Sequence, residues 1–314
     1  MLEGATRYPS IMRKSTISII GAGRIGRALG RCLRERGWKI HSVVTRGQAT
    51  ARRAVRSIGG GSGSGDLSPS VLSASVILIS VPDSAIAAVV NRLASFGKAD
   101  LQSKTVLHTS GALSSEVLAR LQPLGAAVGS IHPLETFSGV GIPALDRRIF
   151  AIDGDLAAVR VARAITRLLG GQALLLSPSL KALYHAAAAI SAGQVLALEE
   201  AAIRIFVSLG MKRQEALKAA LPLTRQVLEN PEHIGPRAAW TGPLARGDYP
   251  VIALHEEALQ PLPIEYLEYL DANRAVNRLA AARLLARDSE PVLCELATIS
   301  AKTCSQSKST GATA

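Results

Sequence analysis

From residue 15 to about residue 177, short apolar runs alternate with segments of helical periodicity. Residues 17–20, Ile-Ser-Ile-Ile, read as a strand. Beyond Gly21, Gly23 and Gly26 the spacing of Ile25, Ala28, Leu29, Cys32 and Leu33 predicts an amphipathic helix over 24–36, stopped by Gly37. Residues 40–44 are a second strand and 51–58 a short helix. The glycine- and serine-rich residues 59–66 read as a flexible loop with at most a weak third strand. Residues 76–81 are apolar except for Ser80, as a strand buried on both faces should be. A helix over 84–96, strands at 105–107, 126–131 and 150–152, a helix over 156–169 and a strand at 173–176 complete the series. Such alternation predicts a parallel sheet covered by helices on both faces.

After residue 179 no strand pattern appears. Residues 180–209 form one long helix or two, and 214–228, 252–259 and 264–286 are further helices. The expected division is an extension at 1–14, a nucleotide-binding-type α/β domain at 15–177, an all-helical domain at 178–300 and a disordered tail at 301–314. The apolar stretch 182–198 is mostly alanine and contains His185 and Gln194. It is too short and too polar to be expected in a membrane. The N-terminal residues lack the apolar core of a signal peptide.

The glycines change the picture from fold to ligand. Gly21-Ala22-Gly23-Arg24-Ile25-Gly26 follows a strand and opens a helix, the context in which a GxGxxG turn cradles a dinucleotide. The first glycine allows the tight turn, the second lets backbone approach the pyrophosphate, and the third lets helix meet strand. The fold class is therefore α/β, an N-terminal Rossmann-type parallel sheet followed by an all-α domain. The strand at 40–44 ends in Thr45-Arg46, where an NAD-binding chain would carry an acid. An arginine there pairs with a 2′-phosphate, so NADP is expected in preference to NAD. Val81-Pro82-Asp83 should pass beside the cofactor, with Asp83 an alternative helix N-cap.

Charge fits this reading. The net charge is +12, and residues 24–56 hold ten basic side chains against Glu35 alone, a local balance of +9. No helix-turn-helix, finger or RNP-type motif accompanies them, so a phosphate site beside a solvated basic face is expected and no nucleic-acid partner. Cys32, Cys294 and Cys304 have no paired spacing, which argues against a disulfide framework and a zinc site and fits a reducing cytoplasm.

Candidate chemistry lies at strand ends and at the head of the helical region. His108, Ser110 and Gly111 follow the strand 105–107 and are expected to meet substrate. His132 ends the strand 126–131 and can move a proton near neutral pH. Lys181 and His185, four apart with Tyr184 between, share a helix face. Lys181 could bind a carboxylate or donate a proton. Thr241 and Arg246 lie in a polar loop, and Arg246 could hold an anion or pair with Asp248.

The order GAGRIG, ILISVPDSAI, LHTSGALSS, GSIHPLETFSG, LKALYHAAAAISAG, TGPLARGD resembles the oxidoreductases that join a Rossmann-like domain to "domain of unknown function 2520". These belong with the 6-phosphogluconate-dehydrogenase-like group. The resemblance implies an NADP-dependent oxidoreductase of a small anionic C=O or C=N substrate, dimerising through its helical domain. It also implies that Lys181 stands where β-hydroxyacid dehydrogenases place a substrate-binding lysine, with His185 replacing their asparagine. His132 is similar to the histidine of prephenate dehydrogenases, which makes such an enzyme one alternative. A non-catalytic NADP-binding sensor or scaffold is another.

Overall fold

The structure is a computed structural model and describes residues 15–141, 143–260, 267–284 and 289–310. The extension expected at 1–14, the residues 264–266 and 285–286 of one expected helix, and the end of the tail, 311–314, lie outside the described residues. The chain forms two compact units, Met1–Gly193 and Gln194–Ala314.

The first unit is built on eight strands: β1 (Thr16–Ile20), β2 (Lys39–Val44), β3 (Ser62–Ser64), β4 (Val76–Ile79), β5 (Thr105–His108), β6 (Ala127–Pro133), β7 (Ile149–Gly154) and β8 (Gln172–Leu175). They form one sheet in the order β3-β2-β1-β4-β5-β6-β7-β8. The order reverses between β1 and β4, so the crevice for a ligand opens there, beyond the strand C-termini. One expectation is sharpened and one is corrected. The weak third strand is real, although it contains no apolar residue, because β2 pairs with it through Ser42–Ser62, Val43–Gly63 and Val44–Ser64. The sheet is also not wholly parallel, since β7 runs antiparallel to β6. Apolar runs mark burial but carry no direction, so the pattern could not show this.

Alternation assigns the two faces. Ile17 and Ile19 of β1 and Val76 and Leu78 of β4 point into one core. That core is closed by the helices α1 (Arg24–Glu35), α2 (Gln48–Ile58) and α5 (Leu156–Leu168). Ile20, Ile77 and Ile79 point the other way, against α3 (Asp83–Ala94) and the 3-10 segments Pro69–Ser73 and Ser115–Leu124. A short helix, α4 (Lys98–Leu101), leads into β5. The unit ends with α6 (Lys181–Ala189) and a π-helical turn, Ile190–Gln194, that separates it from α7 (Val195–Ser208). The expected helical run of 180–209 is thus interrupted, and the residues 178–193 cluster with the sheet rather than opening the helical unit.

The second unit contains α7, α8 (Arg213–Ile234), α9 (Pro236–Ala239), α10 (Tyr249–Leu259), α11 (Leu267–Leu284) and α12 (Ser289–Thr310). α7 and α8 meet through Ile203, Ala216 and Ala220. Ile252, Ala281, Val292, Leu296 and Ile299 form a separate core, beside a buried Glu256–Arg274 pair at 2.9 Å. Val292, Leu296 and Ile299 share one face of α12, and that helix runs through Thr310, across most of the expected disordered tail. One stretch, Pro178–Ser208, is long and apolar enough by length and composition to cross a membrane. That qualifies the expectation drawn from the shorter window 182–198.

Candidate active site

The glycine turn forms as its sequence predicts. Gly21 has φ +88°, open to glycine, and a Cβ there would lie 2.5 Å from the Ser80 carbonyl oxygen. A Cβ on Gly26 would collide with the Gly21 oxygen. A Cβ on Gly23 would meet nothing within 4 Å. Two glycines therefore let the chain touch itself, and the middle one faces open space at the N-terminus of α1. Free N–H groups and the helix dipole favour an anion at such a place.

That space belongs to a cleft of about 480 Å³. Gly23, Arg24 and Ile25 line one part, Ser80, Val81, Pro82 and Asp83 the end of β4, and Thr109, Ser110 and Gly111 the end of β5. His132, Glu135, Phe137 and His185 complete it. Ala22 is buried in the turn, next to these residues. Thr45 and Arg46 end β2; the Thr45 hydroxyl donates to the Gly47 carbonyl at 3.0 Å, and Arg46 is exposed.

Asp83 is not an N-cap. It is the first residue of α3, and its carboxylate accepts the Ser110 hydroxyl at 2.8 Å. The same hydroxyl oxygen accepts the backbone N–H groups of Ala112 and Leu113 at 3.2 and 2.9 Å, which fixes the turn. Gly111 then gives room to two imidazoles. A Cβ on it would lie 2.8 Å from His132 Nε2 and 2.5 Å from His185 Cδ2. The two rings stand edge to face with centroids 6.0 Å apart.

His132 Nδ1 is 2.9 Å from the Tyr184 hydroxyl. Burial pushes the tyrosine up to about 12 and, with help from the Lys181 charge, the histidine down to about 4. The shared proton therefore sits on the oxygen, which donates to Nδ1, and the ring carries its own N–H on Nε2. A neutral imidazole with a donor beside Gly111 is thus set at one end of the cleft.

Two expected site residues are elsewhere. His108 is fully buried, with Nε2 donating to the Ser114 carbonyl at 3.1 Å and Nδ1 accepting the Ser110 N–H at 3.2 Å. It braces the turn and does not line the cleft, because its position on β5 turns the ring away from the crevice. Lys181 is also fully buried. Its Nζ donates to the Ser110 carbonyl at 3.1 Å and to Ser130 Oγ at 3.0 Å, with the Asp153 carboxylate at 3.7 Å. Asp153 in turn accepts the Ser130 hydroxyl and, at 2.7 Å, the Ser115 N–H. Burial lowers the lysine pKa, and Asp153 works against that shift. Thr241 and Arg246 are exposed in the second unit, and among the described residues no ion pair joins Arg246 to Asp248.

Sequence reasoning missed Phe137 in the cleft and Asp153 beneath it, and met Ser80, Thr109, Ser130 and Glu135 only as neighbours of other candidates, without a role. A signal existed for two of them. Ser80 directly follows the all-apolar β4 and Asp153 is the one charged residue of β7, and a polar side chain that close to the core must find a partner.

Two family models match the chain. A Rossmann-like domain covers residues 7–133, and the domain of unknown function DUF2520 covers residues 148–273. No curated protein matches at the sequence level. Among solved structures, a Bacteroides fragilis protein described as a "putative NADP oxidoreductase" superposes with a TM-score of 0.68 at 20% identity, over 85% of this chain and 99% of its own. Protein TM1727 of Thermotoga maritima gives 0.61 at 26% identity, over 84% and 98%. A Streptomyces aurantiacus imine reductase gives 0.58 at 16% identity, over 83% and 94%. These likenesses concern the fold.

The buried pair makes a stability prediction. Lys181→Met leaves the Asp153 charge without its cation and should cost about 3–5 kcal/mol in urea unfolding. The double variant Lys181→Met/Asp153→Asn should cost less than Lys181→Met alone; strictly additive costs would show the pair to be uncoupled. His108 makes a second one, since burial holds it at about 4 against an ordinary 6.5. The folded value lies below the unfolded one, so the stabilisation is complete above pH 6.5 and is lost as pH falls towards 4. The unfolding free energy should drop over that range by up to ~3 kcal/mol from this group, and the profile should flatten in His108→Asn.

Proposed function

We propose that this chain, which belongs with the proteins joining a Rossmann-like domain to DUF2520, is an NADP-dependent oxidoreductase acting on a small C=O or C=N compound. One observation carries the reading: a single cleft joins the open face of Gly23 to the His132–His185 pair around Gly111. A sensor or scaffold would need the first and not the second.

The residues present fit the dinucleotide. Gly21, Ala22, Gly23, Arg24, Ile25 and Gly26 would hold the pyrophosphate, since a Cβ at Gly23 would stand in open space. Arg46, with Thr45 shaping the turn, would meet the adenosine 2′-phosphate, with Arg52 and Arg53 exposed on α2 nearby in sequence. Val81, Pro82 and Asp83 would flank the cofactor. When bound, the reduced nicotinamide supplies a hydride.

The chain itself orients substrate and excludes water. Ser110 and Gly111 form the floor of the reacting end, and His132 Nε2–H donates a hydrogen bond to the substrate heteroatom, with Tyr184 fixing the tautomer. His185 closes the same end. Lys181 acts as a positioning residue through Ser110 and Ser130. The carboxylate-binding role expected of it has no support, because its ammonium does not line the cleft. Thr241 and Arg246 are not needed for this reading.

A homodimer built through the helical unit is part of the proposal. It is supported by the exposed apolar side chains of the helical unit, Leu196, Leu209, Leu223, Leu228, Ile234 and Leu254. The stretch Pro178–Ser208 contains the charged side chains Lys181, Glu199, Glu200 and Arg204, which suits a protein interface better than lipid. A cytoplasmic location is proposed on the free thiols of Cys32 and Cys294.

Fluorescence titration tests the cofactor: NADPH should bind more tightly than NADH, and Arg46→Asp should weaken NADPH about 10- to 100-fold while changing NADH little. Equal losses for both would remove Arg46 from the phosphate. Light scattering should return twice the chain mass, falling to a single mass in Leu196→Asp/Leu223→Asp; a wild-type monomer would end the dimer proposal.

A further inference from the structure

Between α2 and β4 the chain carries Gly61-Ser62-Gly63-Ser64-Gly65, a period of two that puts glycine on one face of β3 and serine on the other. The glycine face looks at α2. A Cβ on Gly63 would lie 3.1 Å from the backbone carbonyl carbon of Ala51, and one on Gly65 would lie 2.7 Å from the backbone nitrogen of Gln48. Missing side chains thus bring β3 against the first turn of α2, close enough for Gln48 to bond its backbone. Gln48 Nε2 donates to the Gly63 carbonyl at 3.0 Å, and Gln48 Oε1 accepts the Gly65 N–H at 2.9 Å. β3 ends the sheet, so the side-chain amide serves two backbone groups at an edge where no further strand does.

The turn held in this way is the one that carries Arg46. Thr45-Arg46-Gly47 joins β2 to α2. Where it begins, the Val44 carbonyl accepts the Gly21 N–H of the glycine turn at 2.8 Å, and the Thr45 N–H donates to the Ser64 carbonyl at 3.0 Å. Within it, the Thr45 hydroxyl bonds the Gly47 carbonyl. Where it ends, the Gln48 amide ties the first residue of α2 to β3. The backbone is therefore fixed on both sides of Arg46. Its guanidinium is exposed and, among the described residues, takes part in no hydrogen bond or ion pair.

We propose that Gln48 is a positioning residue for cofactor selectivity: by clamping the first turn of α2 to the glycine face of β3, it holds Arg46 where the adenosine 2′-phosphate binds. The role rests on the cofactor reading and deepens it by naming what fixes the arginine. A guanidinium that pairs with a phosphate gives up the freedom of its side chain and of the turn beneath it. With the turn already fixed, only the side-chain share remains to be lost. NADH has no phosphate at this place, so a loosened turn costs it little. The glycine- and serine-rich run is thereby a built part of the site, since any larger residue at Gly63 or Gly65 would force α2 away from β3.

Fluorescence titration of the full chain with NADPH and NADH tests the clamp without any substrate. Gln48→Met keeps the reach of the side chain and removes both hydrogen bonds. It should raise the Kd for NADPH about 5- to 20-fold, the effect of one or two ordinary hydrogen bonds, and that for NADH by less than about twofold. Retained NADH binding also shows that the variant folds. Gly65→Ala leaves Gln48 in place and should give the same selective loss, because the added Cβ pushes the turn off β3. Arg46→Ala should weaken NADPH by itself, and Gln48→Met added to it should weaken NADPH no further. Equal losses for NADPH and NADH in Gln48→Met would make the residue a general support of the fold. A full further loss in the Arg46→Ala background would show that it does not act through the arginine. Wild-type affinity in both Gln48→Met and Gly65→Ala would leave it no role. Any of these overturns the clamp and leaves the NADP site standing. NADPH binding untouched by Arg46→Ala would instead remove the arginine from the phosphate, and the clamp with it.

Discussion

A lysine ammonium shut away from water must be met by protein, and at Lys181 several segments of the first unit do so at once. Its Nζ reaches the turn after β5 through Ser110, the strand β6 through Ser130 and the strand β7 through Asp153. Taking two charges out of water costs several kcal/mol each before they attract one another. At 3.7 Å the ion pair alone is not close enough to offset this. The surrounding hydrogen bonds complete the compensation, including the Ser115 N–H on Asp153. The knot is tolerable only when all its members are in place, so it acts on geometry more than on net stability. Ser110, held from below by the ammonium, is the residue that receives Asp83 and precedes Gly111.

The antiparallel pairing of β7 against β6 makes this possible. It sets Ser130 opposite Asp153 and His132 opposite Ala151. Ser130 and His132 are two apart on a strand and so point to the same side. Lys181 and Tyr184 are three apart on α6 and so share a face. Lys181 meets Ser130, and Tyr184 meets His132, each pair within 3.0 Å. One strand and one helix thus lie in a two-point register. The first contact is buried and structural, and the second reaches the cleft. The device that holds the sheet together also sets the tautomer of the imidazole.

Much of this unit was legible in the sequence. The glycine turn, the strand ends and the shared helix face of Lys181 and His185 follow from spacing alone. The role of Lys181 did not, since its partners Ser110 and Ser130 lie 71 and 51 residues away and no periodicity links them. His108 was misread for a similar reason. A histidine at a strand end points either into the crevice or into the sheet, and only the Ser114 carbonyl, supplied by the following turn, decides it. The strand Ser62–Ser64 left only a weak signal because backbone pairing, not side-chain burial, creates it. The π turn at Ile190–Gln194 leaves no mark in an alanine-rich run whose periods of helix and turn are so close.

The cleft is shaped by missing side chains, and the reason differs from glycine to glycine. Gly21 is needed for its backbone conformation and for its contact with Ser80 together. Gly26 is needed only because the helix touches the turn. Gly111 shows no left-handed φ, yet a methyl group there would strike both His132 and His185. Gly23 meets neither condition, for a methyl group would fit there without touching the protein. Folding alone does not require a glycine at that position. The open N–H groups of the first turn of α1 favour an anion in that space. The glycine turn and the far end of the cleft thus use missing side chains in opposite ways: at Gly23 the protein leaves space open, and at Gly111 it yields space to its own imidazoles.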